Sequence, residues 1–310
     1  MGIKEILKNN ETLFAAYKKL AKVKGNFLAS IAGIAPEYVS KVRYQDTFNR
    51  KLDLKNPVYF NEKLMWLKLK RYANDPLAIQ GADKYMVREY VKDCGLEHTL
   101  NELLGVWDDA RDIDWDKLPN RFAMKCNHAC GYNLICTDKS KLDIKASVKM
   151  LNKWLKKGTW REYAEIHYKK IEPKIIAEAF LEGKDGGLPV DYKFYCFNGE
   201  PLFIGNFIER NLEEHSIVRG YFNPDWTPSD VFAEKDQMDL SKFEKPDNLE
   251  TMMEYSRILS KAFPFVRVDF YDVDGKIIFG ELTFTPTGCL GAYYAKDAYK
   301  KLGDALDIGR

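Results

Sequence analysis

Two carboxylates near the C-terminus, Asp269 and Glu281, have types and spacing that suit a metal site on a β-hairpin. They lie in VRVDFYDVDGKIIFGELTFTP, residues 266–286, where apolar and polar residues alternate on either side of Asp274 and Gly275. This alternation is typical of two strands joined by a tight turn. Mg²⁺ takes one or two protein carboxylates and completes its shell with water and phosphate oxygens. The segment therefore predicts a hairpin that holds Mg²⁺ beside a phosphorylated ligand.

The register of the hairpin decides whether the two carboxylates share a face. A two-residue turn would pair Asp269 with Gly280 and send Glu281 to the opposite face. We therefore expect a three-residue loop, 273–275, with Gly275 in the left-handed conformation. An ordinary surface hairpin with a cross-strand ion pair is the competing interpretation. In the expected register the polar face carries Arg267, Asp269, Glu281 and Thr283, and Arg267 pairs with Glu281.

Other segments carry candidate anion contacts. Lys125 ends a short apolar strand, and the turn-rich loop 127–133 after it can present backbone N–H groups to phosphate oxygens. Glu178 lies near the end of another apolar strand, and Lys193 follows Asp191 by two residues, hence on the same strand face. Each feature alone is also compatible with ordinary protein surface.

Two competing site patterns are weaker. A zinc site would use Cys126, His128, Cys130 and Cys136, but their spacing does not form the usual CxxC pairs. Acidic D-x-D spacing, as in glycosyltransferases, occurs at 112–116 and 272–274. The first stretch lies in a charged connection and the second in the hairpin turn, where Asp serves turn chemistry.

The composition is that of one enzyme-sized globular unit. The 310 residues carry 48 Lys and Arg against 46 Asp and Glu, so there is no bulk positive field that favours nucleic acid as a partner. The six cysteines are scattered, and no secretory signal is evident, which predicts reduced thiols and a cytoplasmic location. The uncharged stretch 25–36 is too short to span a membrane.

Hydrophobic periodicity predicts the elements that position these side chains. The first 50 residues are helical with a lysine-rich face, which is typical of a solvated helix and less often of docking to an anionic membrane. Helices interleaved with antiparallel hairpins predict an α+β fold rather than a doubly wound sheet. Further helices are predicted at 60–72, 82–91 and 144–157, and strands at 103–107, 121–126, 134–137, 175–180, 192–197 and 202–207.

Lys84 precedes the features already described: Lys125 with its loop, Glu178, Lys193 and the hairpin 269–286. In this order along the chain, these features resemble an ATP-grasp ligase. The TupA-like ATP-grasp family, associated with teichuronopeptide and other polysaccharide biosynthesis, is the more specific resemblance, and it covers roughly 46–307. It implies two α+β lobes that hold ATP between them, with a helical N-terminal extension. The motifs that carry it are FNEKLMWLKL, ADKYMVREYV, KCNHACGYN, RILSKAFPFVRVDFYDVDGKIIFGELTFTP and the closing KLGD.

The resemblance implies four segments. They are a basic helical extension (1–55), a region before the ATP-grasp core (56–120), a lid with the phosphate loop (121–182) and a C-terminal part with the Mg²⁺ hairpin (183–310).

The resemblance also implies residue roles. Lys84 and Lys125 would contact the ATP phosphates, the loop after Lys125 would close over them, and Glu178 with the strand backbone after it would meet adenine. The nucleotide contacts would then be Lys84, Lys125, Asn127, His128, Gly131, Tyr132, Asn133, Glu178, Ala179, Phe180, Leu181 and Asp191.

Metal and catalytic roles follow from the same resemblance. Asp269 and Glu281 would hold Mg²⁺, with Thr283 where the wider superfamily commonly has Asn. The catalytic anion contacts would be Arg267, Lys193 and Arg210, among which Arg267 would steady the transferring phosphoryl group.

The expected reaction is ATP-dependent ligation of a carboxylate to an amine through an acyl phosphate. By family association, the carboxylate is a uronic acid of a surface polysaccharide and the amine an amino acid or a similar compound. Contact with a polysaccharide-synthesis complex or with the inner face of the membrane is a further expectation. Two alternatives stay open: a kinase that stops at phosphoryl transfer, and a nucleotide-binding protein of an assembly complex that has lost catalysis. No general base is evident from the sequence.

Overall fold

The first two helices of the described residues, α1 (Glu11–Ile31) and α2 (Pro36–Phe48), pack against each other. The computed structural model describes residues 10–183, 186–211, 216–233 and 239–309, without the side chains of residues 11, 209–211 and 216. The predicted N-terminal helix is confirmed from Glu11 onward, whereas Lys4 and Lys8 lie outside the described residues. Leu28 near the end of α1 is buried against Trp160, which anchors this helical pair to the body.

The next helical region contains two departures from regular α-helix. Helix α3 (Phe60–Trp66) continues as a π-helix, Leu67–Tyr72, a form that is frequent at functional sites. The predicted helix 82–91 is wrong at its start, because α4 (Pro76–Ala82) and α5 (Val87–Asp93) flank a turn. The Asp83 carboxylate accepts hydrogen bonds from the backbone N–H groups of Tyr85 and Met86, at 2.8 and 3.2 Å. This local bonding competes with helix formation.

The smaller sheet has four antiparallel strands in the order β1-β4-β2-β3. These strands lie within the predicted ones or extend them by one residue, and the sheet joins 103–107 to the 121–182 segment. Their bounds are β1 (Leu103–Trp107), β2 (Phe122–Cys126), β3 (Asn133–Cys136) and β4 (Ile175–Ala179). A separate apolar core forms between this sheet and α6 (Ile144–Lys156), the predicted lysine-rich helix.

The larger sheet has five antiparallel strands in the order β7-β6-β5-β8-β9. Its main core lies under β5 and β8 and includes residues of α3–α5 and of α9 (Leu249–Ser260). The two short helices α7 (Trp160–Tyr163) and α8 (Ile166–Lys169) precede β4, and α10 (Ala298–Ala305) follows the sheet. The strands are β5 (Val190–Phe197), β6 (Glu200–Asn211), β7 (Ser216–Phe222), β8 (Phe265–Val273) and β9 (Lys276–Thr283).

The β8–β9 hairpin corrects the expected turn. Val273 pairs with Lys276 across a two-residue turn, in which Asp274 and Gly275 have positive φ angles of 52° and 80°. The three-residue loop is therefore wrong, although Gly275 is left-handed as expected. A bulge at Gly280 shifts the register by one residue. Consequently Asp269 faces Glu281 directly, and Arg267 faces Thr283 rather than Glu281.

The bulge explains why the polar side chains share one face even though the turn has only two residues. One extra residue on β9 restores the face that the two-residue turn alone would have reversed. A side chain at Gly280 would place its Cβ only 3.0 Å from the Asp269 carbonyl oxygen, so the bulge lies tightly against β8. The predicted common face of Asp269, Glu281, Arg267 and Thr283 is confirmed, for a reason that differs from the one expected.

Candidate active site

A row of charged side chains crosses three adjacent strands of the larger sheet. Lys193 on β5 is the register partner of Asp269 on β8, and Asp269 is the register partner of Glu281 on β9. Because register partners point to the same side of a sheet, the three groups lie side by side. The sheet register thus places the Lys193 ammonium next to the two candidate metal-binding carboxylates.

Asp269 is the buried centre of this row. Its Oδ2 lies 2.6 Å from both Lys193 Nζ and Arg267 Nη2, and its Oδ1 accepts a 2.7 Å hydrogen bond from Arg267 Nε. The side chain is only 2 % exposed. Burial raises the pKa of the carboxyl, and the two cations offset part of that rise. The Asp269 carboxylate therefore positions Arg267 and Lys193.

Glu281 is the accessible carboxylate of the pair, with 37 % of its side chain exposed. Its oxygens lie 3.3 Å from Arg267 Nη2 and 3.5 Å from Lys84 Nζ, and Thr283 Oγ1 lies within 3.4 Å. Burial would raise its pKa, but Lys84, Arg267, Lys193 and Lys125 together lower it to about 2. Glu281 is ionised at neutral pH and open to a ligand on its exposed side.

Lys84 links the hairpin to the loop of the smaller sheet. Its Nζ donates a 3.1 Å hydrogen bond to the Ala129 carbonyl while it contacts Glu281. The backbone N–H of Lys84 donates to the Asn127 carbonyl, and the Asn127 amide donates to Asp83 Oδ1 at 2.9 Å. Asn127 is fully buried, so its side chain fastens the loop to the Asp83 turn.

The remaining predicted loop residues occupy different environments. His128 is buried, and burial lowers its pKa, whereas Gly131 adopts a left-handed φ of 74° with open space where a Cβ would stand. Tyr132 stacks on Trp154 of α6, with ring centroids 5.2 Å apart, and Asn133 begins β3 as the exposed register partner of Lys125. The tip of the loop thus presents Gly131 and Asn133, while His128 and Tyr132 support it.

Lys125 and Glu178 form a close ion pair on the smaller sheet. Lys125 Nζ donates to Glu178 Oε2 at 2.6 Å, and Arg88 Nη1 lies 3.6 Å from Glu178 Oε1. The three side chains are 12–22 % exposed, which leaves each with a narrow solvent-facing surface. Burial lowers the pKa of Lys125, but Glu178 and other anions outweigh it, so the ammonium stays protonated. Arg88 is a cationic neighbour that sequence reasoning missed.

The strand end after Glu178 faces the turn of the hairpin. Phe180 and Leu181 line a cleft of about 480 Å³ together with Val273 and Asp274. The Ala179 carbonyl accepts a 2.8 Å hydrogen bond from the Asn101 amide, so this backbone oxygen is already paired. Phe180 is also covered by the Arg121 guanidinium, 4.2 Å from its ring centre. The cleft is thus lined by residues that follow β4 of the smaller sheet and by the β8–β9 turn of the larger sheet.

Lys193 and Arg210 are the other two cations that were predicted, with Arg267, as catalytic anion contacts. Lys193 is held between Asp269 and Asp191, with its Nζ 2.8 Å from Asp191 Oδ2. Burial lowers the pKa of Lys193, and the two carboxylates raise it by more. Asp191 is itself buried. Arg210 belongs to β6, but its side chain lies outside the described residues.

The donor set suits a cation that also binds phosphate. Among the described residues, no group of three or more His, Cys, Asp or Glu side chains is placed to hold a metal ion, and this includes the cysteine cluster around His128. Glu281 and the Thr283 hydroxyl offer two adjacent oxygens on the accessible side. Two protein oxygens are sufficient where phosphate and water complete the shell, as is common for Mg²⁺.

A second polar cluster lies beyond Thr283. Thr285 lies two residues beyond the end of β9, and its Oγ1 donates a 2.6 Å hydrogen bond to Glu165. Glu165 lies 8 % exposed between α7 and α8, and burial raises its pKa. Glu165 therefore adds a buried carboxylate beyond the end of β9.

Lys68 provides the cation behind Glu165. It lies on the π-helix, 1 % exposed, and its Nζ donates a 2.8 Å hydrogen bond to the Tyr163 carbonyl. Burial lowers its pKa, and Cys289 and Glu165 offset part of the drop. Sequence reasoning missed both Lys68 and Glu165. A signal was present for Lys68, because it follows Leu64 by four residues on the apolar stripe of the helix.

Comparison with known proteins identifies the family. The family model described as TupA-like ATPgrasp matches residues 62–307. The chain belongs to the TupA-like ATP-grasp family. The α+β fold and the ATP-grasp resemblance expected from the sequence are thereby confirmed. A search of curated proteins finds no match.

Solved ATP-grasp ligases are similar to this TupA-like chain at low identity. D-alanine--D-alanine ligase from Bacillus anthracis is 14 % identical with a TM-score of 0.45, over 74 % of this chain and 66 % of that one. D-cycloserine synthetase is 13 % identical with a TM-score of 0.43, over 76 % and 72 %. Phosphoribosylamine--glycine ligase from Thermotoga maritima is 13 % identical with a TM-score of 0.42, over 70 % and 52 %. The chain spans about two thirds of the length of the first of these ligases.

Proposed function

We propose that this protein is an ATP-dependent carboxylate–amine ligase that works through an acyl phosphate. The observation that carries the proposal is the convergence of Lys84, Lys193 and Arg267 around Asp269 and the accessible Glu281. On the smaller sheet, Lys125 is paired with Glu178 and adds a fourth cation. Such a cluster neutralises the charge of a nucleotide triphosphate and of a transferring phosphoryl group. Family membership supplies the reaction class.

The proposed nucleotide site follows the cleft between the sheets. Lys84 and Lys125 contact the phosphates under the loop 127–133, and the backbone around Phe180 and Leu181 contacts the base. Because the Asn127 amide is buried and bonded to Asp83, its proposed role is to shape the loop rather than to contact phosphate directly. Binding of phosphate draws Lys125 away from Glu178, which leaves Glu178 to accept a hydrogen bond from the base.

Mg²⁺ is proposed on Glu281, with the Thr283 hydroxyl beside it. Glu281 is accessible and the Thr283 hydroxyl lies 3.4 Å from it, and when bound the ion would neutralise part of the phosphate charge. Asp269 holds Arg267 and Lys193 in position and reaches the ion only if those two cations turn towards the phosphoryl group. Arg267 stabilises the negative charge that develops as the phosphoryl group is transferred, with Lys193 and Arg210 as further anion contacts.

Glu165 is proposed as the group that accepts a proton from the incoming amine. A carboxylate becomes a good electrophile once it is phosphorylated, but the amine attacks only after losing its proton. Glu165 lies beside Thr285 just beyond the end of β9, and its raised pKa makes it a better base than an exposed carboxylate. Glu165 is thus the proposed general base, a role for which the sequence alone offered no candidate.

The proposed substrates rest on the family's association with polysaccharide biosynthesis. A uronic acid is the proposed carboxylate and an amino acid or similar compound the amine, in the cytoplasm where ATP is available. We place the protein at the inner face of the membrane, near the enzymes of surface polysaccharide assembly.

The test is incubation with ATP, Mg²⁺ and pools of nucleotide-linked uronic acids and amino acids, with mass spectrometry of nucleotides and products. ADP formation that requires both an acid and an amine, with a product mass equal to their sum less water, supports ligation. A stable phosphorylated product without an amine identifies a kinase. ATP binding without turnover in any pool favours the assembly role.

A further inference from the structure

The first helix carries an apolar face that the rest of the described chain does not cover. Leu13, Leu20, Val23 and Phe27 are each more than half exposed. Leu13, Leu20 and Phe27 are spaced seven residues apart, which places them on one side of the helix, and Val23 adjoins them. Exposed large apolar side chains in a continuous patch mark an interaction surface.

This face projects from the body of the protein. Along α1, every described side chain before Leu28 is exposed or half-buried, and only then does Leu28 pack against the core of the helical pair. The loop after α1 adds Ile34, which is 88 % exposed, and Tyr38 on α2 is 54 % exposed. Large apolar side chains are therefore also exposed beyond the end of the helix.

The polar side of α1 is uniformly basic. Lys18, Lys19, Lys22 and Lys24 lie on it or at its borders, and there is no Asp or Glu between residues 12 and 36. In the 3.6-residue period, Lys18 and Lys22 lie opposite Leu13 and Leu20, and Lys19 lies at the border of the apolar face. Lys24 is paired with Asp46 at 2.7 Å.

We propose that α1 docks on the surface of an anionic phospholipid bilayer. A helix with an apolar face and a lysine-rich polar face lies in the membrane interface, where the apolar side enters the acyl boundary and the lysines meet the headgroups. None of the described helices is long and apolar enough to cross a membrane. The proposed contact is that of a helix lying in the interface. The inference rests on the proposed peripheral location and not on the ligation chemistry.

A second copy of the chain fits this face less well. In a parallel helix pair with Leu13, Leu20 and Phe27 in the seam, Lys19 occupies the flanking position that faces Lys24 of the other copy. Like charges at these positions oppose pairing, because the solvent-exposed pair of Lys24 with Asp46 offsets little of the Lys24 charge. An anionic lipid surface instead attracts every lysine on the helix.

The test is co-sedimentation of the full chain with vesicles. Vesicles of phosphatidylcholine mixed with phosphatidylglycerol should bind the protein at low salt, and vesicles of phosphatidylcholine alone should bind it far less. The triple variant Lys18→Gln, Lys19→Gln, Lys22→Gln should bind the anionic vesicles more weakly, by about fivefold for each lysine removed. The double variant Leu20→Ser, Phe27→Ser should lose vesicle binding even though its charge is unchanged.

Matched controls use another lysine-rich helix. The variant Lys145→Gln, Lys149→Gln, Lys153→Gln removes the same charge from the exposed side of α6 and should bind vesicles like the unchanged protein. Circular dichroism checks that all variants are folded. The assay needs neither ATP nor a ligase substrate, so its result does not depend on the reaction.

Several outcomes would overturn the proposal. They are absence of binding to anionic vesicles, equal binding to both vesicle types, and an equal loss in the α6 control. A dimer in analytical ultracentrifugation that becomes monomeric in Leu20→Ser, Phe27→Ser would assign the face to a second copy.

Discussion

Replacing Asp269 by Asn should destabilise the fold much more than replacing Glu281 by Gln. Asp269 is 2 % exposed and accepts from Arg267 and Lys193 through both oxygens, at 2.6–2.7 Å. Removing one charge from a buried ion pair typically costs about 3–5 kcal/mol, because the partner stays buried without its counter-charge. The Asn amide would also direct N–H groups at cations that have no lone pair to offer.

In Asp269→Asn, both cations would keep another carboxylate partner, which reduces the expected loss in the free energy of unfolding. Lys193 keeps Asp191 at 2.8 Å, and Arg267 keeps Glu281 at 3.3 Å. We therefore expect a loss near the lower end of the range, about 3 kcal/mol in the free energy of unfolding. For Glu281→Gln we expect about 1 kcal/mol or less, since this side chain is 37 % exposed and its ion contacts are longer.

Urea unfolding followed by circular dichroism measures both losses. The two variants each remove one negative charge from neighbouring strands, so each serves as the control for the other. If Asp269→Asn lost less than about 1 kcal/mol, or no more than Glu281→Gln, Asp269 would not be the counter-charge that positions Arg267 and Lys193. Loss of nucleotide turnover in Glu281→Gln with the fold retained is expected from its proposed contact with Mg²⁺.

Three further predictions concern other parts of the molecule. His167 is fully buried and burial lowers its pKa to about 3, so the unfolded chain binds a proton that the folded chain does not, and stability should fall by about 2 kcal/mol from about pH 7 to about pH 5. Urea unfolding of His167→Phe should show a flatter pH dependence, and an unchanged slope would contradict this. Lys125→Met should weaken ATP binding in calorimetry by about tenfold or more, as expected for one charged hydrogen bond to phosphate, and equal affinity would remove Lys125 from the nucleotide site. Glu165→Gln should slow ligation to an amine while hydroxylamine, which attacks without a strong base, still yields a hydroxamate from the uronic acid pool; equal loss of both products would contradict a proton-accepting role.

The hairpin illustrates what alternation along a strand predicts and what it omits. Period-two patterning identified the face shared by Asp269 and Glu281, since one side of the hairpin is apolar and buried. The turn was predicted wrongly, because patterning alone does not reveal a one-residue bulge at Gly280. Glycine is common at β-bulges. The close approach of Gly280 to the Asp269 carbonyl depends on the partner strand, which the local sequence does not reveal.

Other errors arose where local or distant contacts override propensity. The segment around Lys84 has the composition of a helix, yet the Asp83 side chain bonds the following N–H groups and breaks it. Lys125 and Glu178 were identified separately, but their 2.6 Å pairing depends on how β2 and β4 align. Glu165 was missed because nothing in its own neighbourhood indicates that it meets Thr285 across 120 residues.

The most direct test of the acyl-phosphate account follows an oxygen isotope label placed in the carboxylate of the uronic acid pool. Amine attack on an acyl phosphate releases inorganic phosphate that carries one oxygen from the carboxylate. The account predicts labelled inorganic phosphate that forms with ADP and with the amide product, and that disappears in Glu281→Gln. Unlabelled phosphate accompanying amide formation, or label found in AMP, would contradict it.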